Sequence, residues 1–368
     1  QVILLDQASD SFKLTGLTSK PVVSVLRDFS APVRLRMERS DEELAFLMAH
    51  DSDAFNRWDA GQTLATKLLL DLAGDVGDGN PLVMSTSFSD AFGRLLADDS
   101  LDGSFKALAL TLPQASVLGQ EMAVIDPDAL HAAREFFREN LAKTHSDALY
   151  KSYQELSSDG PYKNDQRSIN RRRLKNVLLG YLSALQTDRS DAIVAAQFDT
   201  ADNMTDQQAA LSLLANSQSP DRQRALQSFY DQYHHDPLVL DKWFSVQAIS
   251  RRPDAIEQVV QLTEHPDFTI DNPNRVRSLL GAFTQNQLRF HQADGAGYRL
   301  LADFVLQIES ANPQLAARLV AALNSYRRFD PGRQEQMESQ LQRIAAHDGL
   351  CKDVYEIVQR ALSFQATS

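Results

Sequence analysis

Residues 272–283 have the sequence NPNRVRSLLGAF, in which a capping residue, a proline and an apolar stripe follow one another. Asn272 can accept a hydrogen bond from an amide of the first helical turn, and proline is tolerated next because its missing N–H would have no partner there. Behind this start, apolar side chains recur with the period of a helix: Val276, Leu279, Leu280 and Phe283. The stretch therefore predicts a helix with one buried face.

The same start signal recurs along the chain. A capping residue precedes a proline at Asp126-Pro127, Ser219-Pro220 and Asn312-Pro313, and the last pair is followed by the stripe Leu315, Leu319, Leu323. A long series of short helices without a sheet predicts a mainly α fold, in which antiparallel helix pairs stack into a superhelical, α-solenoid-like array. Because no sharp consensus recurs at a period of about 34 or 40 residues, the sequence argues against a standard repeat family.

Residues 1–39 have a different pattern. Val33, Leu35 and Met37 alternate with charged residues, which is the period of a half-buried strand. Val22–Leu26 and Phe12–Thr15 predict two further strands. At Ser40 the pattern changes, because Ser40-Asp41-Glu42-Glu43 has the form of a helix capping box. We therefore predict a domain boundary near residue 39/40, with a β segment before it that needs strand partners from outside this chain.

Composition excludes several classes of protein. The chain has 368 residues, 43% of them hydrophobic, and a net charge of −12, which fits a folded globular protein and disfavours binding to nucleic acid. A single cysteine, Cys351, excludes a disulfide framework and a thiolate zinc site. No apolar run is long enough to cross a bilayer, so no membrane partner is predicted.

No catalytic motif stands out. The 8 histidines include no HExxH pair, and neither a GxSxG elbow nor a glycine-rich phosphate loop is present. Cys351 near the C-terminus is typical of a small buried side chain rather than a nucleophile. The sequence therefore predicts neither a metal site nor a catalytic residue within this chain.

One basic run interrupts the acidic chain: Arg167, Arg171, Arg172, Arg173 and Lys175. A phosphate-binding patch needs aromatic or polar partners and a positive field, and neither is evident in the sequence around this run. We therefore expect a solvated helix face, and RNA binding through Arg171–Arg173 is kept as a weaker alternative.

Arginines near two of the Asn-Pro starts are better candidates for a binding site. Arg275 and Arg277 follow Asn272-Pro273, while Gln314 and Arg318 are spaced i, i+4 and so share one helix face. A guanidinium at the edge of a buried stripe can bind a carboxylate through two parallel hydrogen bonds. The alternative is a structural ion pair with an aspartate or glutamate, which the residues alone favour.

An ordered series of segments resembles the C-terminal half of the bacterial aminopeptidase N family, zinc metallopeptidases of the gluzincin type. The resemblance spans essentially the whole chain, although no single segment is a catalytic signature. Its segments are RDFSAPV at 27–33, FNRWDA at 55–60, NMTD at 203–206, DKWF at 241–244, NPNRVRS at 272–278 and NPQ at 312–314.

This resemblance implies that residues 1–39 end a small β-sandwich domain and that residues 40–368 form the helical C-terminal domain. In the family that domain closes over the active site and forms a peptide channel, and Arg277, Gln314 and Arg318 match positions that line it. The HExxH motif and its zinc belong to a catalytic domain absent from this chain, so the chain alone is expected to be inactive and to hold no cofactor. Peptide substrates, the missing domains of the same polypeptide and a cytoplasmic location are the implied partners and setting.

The competing interpretation is a non-enzymatic helical scaffold that binds peptides or proteins on its concave face. It accounts for the helices but leaves the strand edges of residues 1–39 unpaired, which an independent protein would be expected to avoid.

Overall fold

The structure is a computed structural model that describes residues 3–157 and 160–363. From Asp41 onward the described chain is built mainly of helices, as predicted. The α-helices are α1 (Asp41–His50), α2 (Ala54–Asp78), α3 (Thr86–Ala97), α4 (Gly103–Leu110), α5 (Ala115–Glu121), α6 (Pro127–Thr144), α7 (Ser146–Ser157), α8 (Gln166–Ser183), α9 (Asp188–Thr200), α10 (Met204–Asn216), α11 (Asp221–Tyr233), α12 (Pro237–Ala248), α13 (Ala255–Thr263), α14 (Pro273–Val276), α15 (Gln287–Phe290), α16 (Ala296–Ile308), α17 (Pro313–Val320), α18 (Pro331–Ala345) and α19 (Lys352–Ser363).

Most of the predicted helix starts are confirmed. Ser40 and Glu43 form the capping box at α1, and Asp126, Asn272 and Asn312 accept backbone amides at the starts of α6, α14 and α17. The structure differs at Ser219-Pro220, where α11 begins one residue later, at Asp221. The reason is a tighter first turn, in which the Arg222 amide donates to the Ser219 carbonyl three residues back.

The stripe at 276–283 is buried as predicted, since Val276, Leu279, Leu280 and Phe283 are each at most 2% exposed. The helix that carries it is not uniform, however. After α14 the backbone continues as a π-helical turn over Arg277–Gly281, which the apolar spacing did not reveal. Such a turn widens the helix locally and changes the direction in which the following side chains project.

From α8 to α13, each helix packs against the next one along the chain. From α8 onward, α10 packs on α8, α12 packs on α10, and the π-helical turn packs on α12, with α9, α11 and α13 in the other layer. The apolar faces meet in one continuous core that extends from Leu44 to Ala361.

The last helices fold back onto the middle of the chain. Arg328 donates hydrogen bonds to the carbonyls of Gly119 (3.2 Å) and Met122 (2.5 Å) at the end of α5. Arg333 in α18 binds Asp128 in the first turn of α6. These contacts join residues more than two hundred positions apart, and nothing in the local sequence predicts them.

The predicted strands do not form in this structure. The described residues before Ser40 contain no strand, including Phe12–Thr15, Val22–Leu26 and residues 33–38, and the one regular turn there is a 3₁₀ turn at Arg27–Phe29. The physical reason is that a strand satisfies its backbone only through a neighbouring strand, and none lies beside this segment. The segment is mostly exposed and is held to the array at Asp51, which accepts hydrogen bonds from Ser24 and Arg27.

Candidate functional site

The two arginines behind Asn272-Pro273 have different environments. Arg275 is buried, lies 3.1 Å from Asp241 as an ion pair, and stacks over the Phe244 ring at 4.9 Å. Arg277 is exposed, and its guanidinium donates to Asn274 in the preceding turn (2.9 Å). The structural ion pair weighed for these arginines is therefore realised by Arg275, whereas the Arg277 guanidinium faces solvent without a carboxylate partner among the described residues.

Gln314 and Arg318 share one exposed face of α17, as their i, i+4 spacing predicted. They line a cavity of about 630 Å³ between α17 and α19, which we call the arginine cavity. Its other polar residues come from α19: Asp353, Glu356 and Arg360. Within the described residues, the side chains of Gln314 and Arg318 make neither a hydrogen bond nor an ion pair.

The structure brings two of the three predicted residues together. Arg277 is not among the residues that line the arginine cavity, because it lies on the π-helical turn that packs against α12. Two guanidinium and two carboxylate groups line this cavity, so its charge is balanced overall. A carboxylate ligand would therefore depend on direct hydrogen bonds from Arg318 rather than on a strong positive field.

His291 and Cys351 have environments that favour structural roles. His291 is buried, its Nδ1 lies 3.0 Å from the Tyr298 hydroxyl, and burial together with Arg333 lowers its pKa to about 3. Burial raises the pKa of the Cys351 thiol, and nearby Glu309 raises it further, which opposes a nucleophilic thiolate. Within residues 3–157 and 160–363, no three His, Cys, Asp or Glu side chains are grouped so that they could hold a metal ion.

A charged cluster on α6 was missed in the sequence. The Glu135 carboxylate forms ion pairs with Arg138 of the same helix (2.5 Å) and with Arg251 of the α12–α13 connection (2.6 Å). Arg289 of α15 in turn donates a hydrogen bond to the Arg251 carbonyl (2.9 Å). Burial would raise the pKa of Glu135, but Arg138 and Arg251 outweigh burial and hold it below its usual value. The spacing of Glu135 and Arg138 on α6 was visible in the sequence, but Arg251 lies more than a hundred residues away.

The basic run on α8 was predicted to be a solvated face, and in the structure Arg167 and Arg173 are exposed while most of the run borders an open cavity. Lys163, Arg167, Arg171, Arg172 and Lys175 line an open cavity of about 670 Å³, which we call the basic cavity. Tyr162 from the α7–α8 connection supplies the aromatic partner that was not recognised in the sequence, since Arg172 lies 4.7 Å from its ring centre. The residue that could have indicated this contact is Tyr162, which lies ten residues before Arg172 and outside the basic run itself.

These features define an α-helical repeat domain whose exposed arginines border open cavities. The chain belongs to the family described as a domain of unknown function (DUF3458_C) with ARM repeats, which matches residues 41–363. A second description, a domain of unknown function (DUF3458) with an Ig-like fold, matches residues 1–38. The expectation that no standard repeat family applies was therefore wrong: ARM-type units can pack alike without a sharp shared consensus.

Similar proteins extend this assignment. The chain is 41% identical over 98% of its length to aminopeptidase N of Caulobacter vibrioides and 38% identical over 98% to aminopeptidase N of Escherichia coli. It spans about two fifths of the length of these relatives, 42% in each case, and corresponds to their C-terminal part. A crystal structure of Legionella pneumophila aminopeptidase A in complex with aspartic acid has a similar fold (TM-score 0.84, 32% identity), covering 94% of this chain and 41% of that one.

No described helix combines the length and the apolar content that are required to cross a membrane.

Proposed function

We propose that this chain is the lid and peptide-channel domain of a zinc aminopeptidase that removes N-terminal residues from peptides. The active site would lie in the catalytic domain of the same polypeptide, in the cytoplasm. Residues 1–39 would complete a β-sandwich with strands from outside this chain, and residues 40–368 would form the domain that closes over the site. Arg277, Gln314 and Arg318 would meet the distal, carboxylate end of the peptide.

The exposure of Arg318 is the observation that carries this proposal. A structural arginine normally has a carboxylate or a set of carbonyls as its partners, as Arg275 and Arg328 have here. The Arg318 guanidinium instead lines an open cavity beside Gln314 and donates no hydrogen bond to any described residue. A peptide carboxylate would supply the missing acceptor, with a bidentate geometry that a lysine could not provide.

Zinc would be held outside this chain, because the described residues offer no group of side chains suited to it. When bound in the catalytic domain, zinc would polarise the scissile carbonyl and activate a water molecule. The residues of this chain would bind and orient the peptide and exclude water around it. Without that domain, the 368-residue chain should not hydrolyse an aminoacyl chromogenic substrate, with or without added zinc. Zinc-dependent turnover by the purified chain would contradict the proposal.

The role of Arg318 is tested in the complete enzyme by Arg318→Ala. We expect kcat/KM for a peptide with a free C-terminus to fall by about tenfold or more, since a charge-assisted hydrogen bond contributes about 1.5–3 kcal/mol. Turnover of a small aminoacyl amide should change little, because the amide has no distal carboxylate. Arg299→Ala is the control, because Arg299 is exposed on α16 but does not line this cavity, and it should leave turnover of both substrates unchanged.

Equal losses on the peptide and the amide would indicate a folding defect and would refute the carboxylate role. A C-terminally amidated version of the same peptide gives a second check, because it should respond to Arg318→Ala as weakly as the small amide does.

The exposed apolar residues of the first segment support the proposed partner domains. Leu4 is 74% exposed, Leu5 66% and Val33 60%, and large exposed apolar side chains in one segment are typical of a surface that a partner covers. Peptide mapping of the native polypeptide from its source cells tests this point. We expect peptides from upstream of Gln1, including an HExxH stretch, and a native chain that begins at Gln1 would favour the scaffold interpretation instead.

A further inference from the structure

The basic cavity lies apart from the residues proposed to meet the peptide. It is bordered by residues 160–163 before α8, by the first turns of α8 and by the turn between α9 and α10. Its volume, about 670 Å³, is in the range of small-molecule sites. None of Arg277, Gln314 and Arg318 lines it. A ligand bound there would therefore occupy a second site.

The charge of this cavity is opposite in sign to that of the chain. The five cations already named line it together with three aspartates, Asp165, Asp202 and Asp206, in a chain whose net charge is −12. A positive concavity on an acidic protein concentrates anions locally, because the low-dielectric walls focus the field. An average part of the surface of this protein would instead be expected to carry a net negative charge.

The aspartates are engaged by the protein itself. Asp206 is 4% exposed and accepts hydrogen bonds from Lys175 (2.5 Å) and Asn176 (3.0 Å). Asp202 accepts the Tyr162 amide (2.6 Å), and Asp165 caps α8 by accepting the Ser168 amide (2.9 Å). Their oxygens therefore accept hydrogen bonds that hold the walls of the cavity together.

Arg172 is held in a defined position. Its guanidinium lies 4.7 Å from the centre of the Tyr162 ring, and its Nη1 donates to the Lys163 carbonyl (2.8 Å). These contacts reduce the entropy that the side chain would lose on binding a ligand, and they leave donor groups of the guanidinium available. Arg167, one turn before Arg171 on α8, is exposed and makes no ion pair with any described residue.

We propose that the basic cavity binds a small, multiply charged oxyanion through Arg167 and Arg172, with Lys163 at its rim. Phosphate esters and polycarboxylates share this chemistry, since both present several anionic oxygens to guanidinium groups. A nucleic-acid strand fits less well, because it needs a basic surface that continues beyond the cavity, and the chain as a whole is acidic.

Calorimetric titration of the native-length polypeptide that contains this chain tests the proposal. The two ligands are inorganic phosphate and tricarballylate, each titrated at constant ionic strength. Arg167→Gln should weaken binding by about tenfold, as expected for the loss of a charge-assisted hydrogen bond. Arg173→Gln is the matched control, because Arg173 is exposed on the same helix but does not line the cavity. It removes the same charge and should change binding by less than about twofold.

The outcomes of this titration distinguish the two chemical classes of anionic ligand. Preference for phosphate would assign the cavity to phosphate-bearing ligands, preference for tricarballylate would assign it to polycarboxylates, and either result supports an oxyanion site. Equal weakening by Arg167→Gln and Arg173→Gln would overturn it, because the effect would then be general electrostatics. Binding of a single-stranded oligonucleotide with no response to either small anion would overturn it as well.

Discussion

The first 39 residues and the helical array respond differently to the same physical demand, which is that backbone polar groups need partners. In the array, each helix satisfies its amides and carbonyls internally and needs neighbours chiefly to bury its apolar face. In the first segment, the apolar alternation is clear in the sequence, but the described backbone forms no strand. A helix can therefore be predicted from local residues, whereas a strand depends on a partner elsewhere.

Burial of aromatic side chains also differs between the two regions, so the array should contribute most of the stability of the chain. Phe137 in α6 is fully buried and meets Phe88 edge to face at 4.9 Å, while Phe12 in the first segment is 48% exposed. Substitutions that remove the same ring from these two regions give the sharpest form of the comparison.

Phe137→Ala should have the largest effect. Removing a fully buried phenylalanine costs about 3–5 kcal/mol, because the transfer free energy is lost and a cavity remains. Phe12→Ala, the matched control, should lower the free energy of unfolding by less than about 0.5 kcal/mol in the 368-residue chain. Urea unfolding followed by circular dichroism measures both values. Equal losses would mean that the first segment is packed in solution, and the contrast between the regions would then fail.

The second prediction concerns the stability of the folded chain at low pH. The pKa of His291 is about 3 in the folded chain because of burial and Arg333, against about 6.5 when unfolded. The unfolded state therefore binds a proton first, and stability is lost as the pH falls below about 6.5, by about 2 kcal/mol at pH 5. Residues 1–39 contain no histidine, so this sensitivity belongs to the array.

Urea unfolding at pH 8 and pH 5 tests this prediction within each variant. His291→Gln should reduce the difference between the two pH values, whereas His347→Gln, which alters an exposed histidine, should leave it unchanged. An unaltered difference in His291→Gln would show that other buried histidines dominate the acid response.

Ser40→Ala should have the smallest effect of the three. It removes the capping box at the junction of the two regions, where the Ser40 hydroxyl accepts the Glu43 amide (3.2 Å). Loss of such a cap costs about 1 kcal/mol. Ser9→Ala lies in the exposed segment, caps no helix, and serves as the control. If Ser40→Ala is as neutral as Ser9→Ala in urea unfolding, the first turn of α1 contributes little to the stability of the array.

Much of the candidate site was accessible from the sequence. The i, i+4 spacing placed Gln314 and Arg318 on one face because helix geometry is local. The same reasoning could not separate Arg275 from Arg277, since the partner of Arg275 is Asp241, on another helix. The prediction of a solvated face for the α8 basic run did not reveal the cavity for a related reason: its other walls are residues 160–163 and the α9–α10 turn, which the run itself does not contain.

The sequence by itself determined the helices, most of their starting residues and the faces that they bury. These properties depend on hydrogen bonds and side-chain periodicity within about four residues, so a short window contains the information. Only the tertiary structure decided which charged groups are paired, which line cavities, and how α18 returns to α6 through Arg333 and Asp128. Those outcomes depend on contacts between residues far apart in the chain, and no local spacing encodes them.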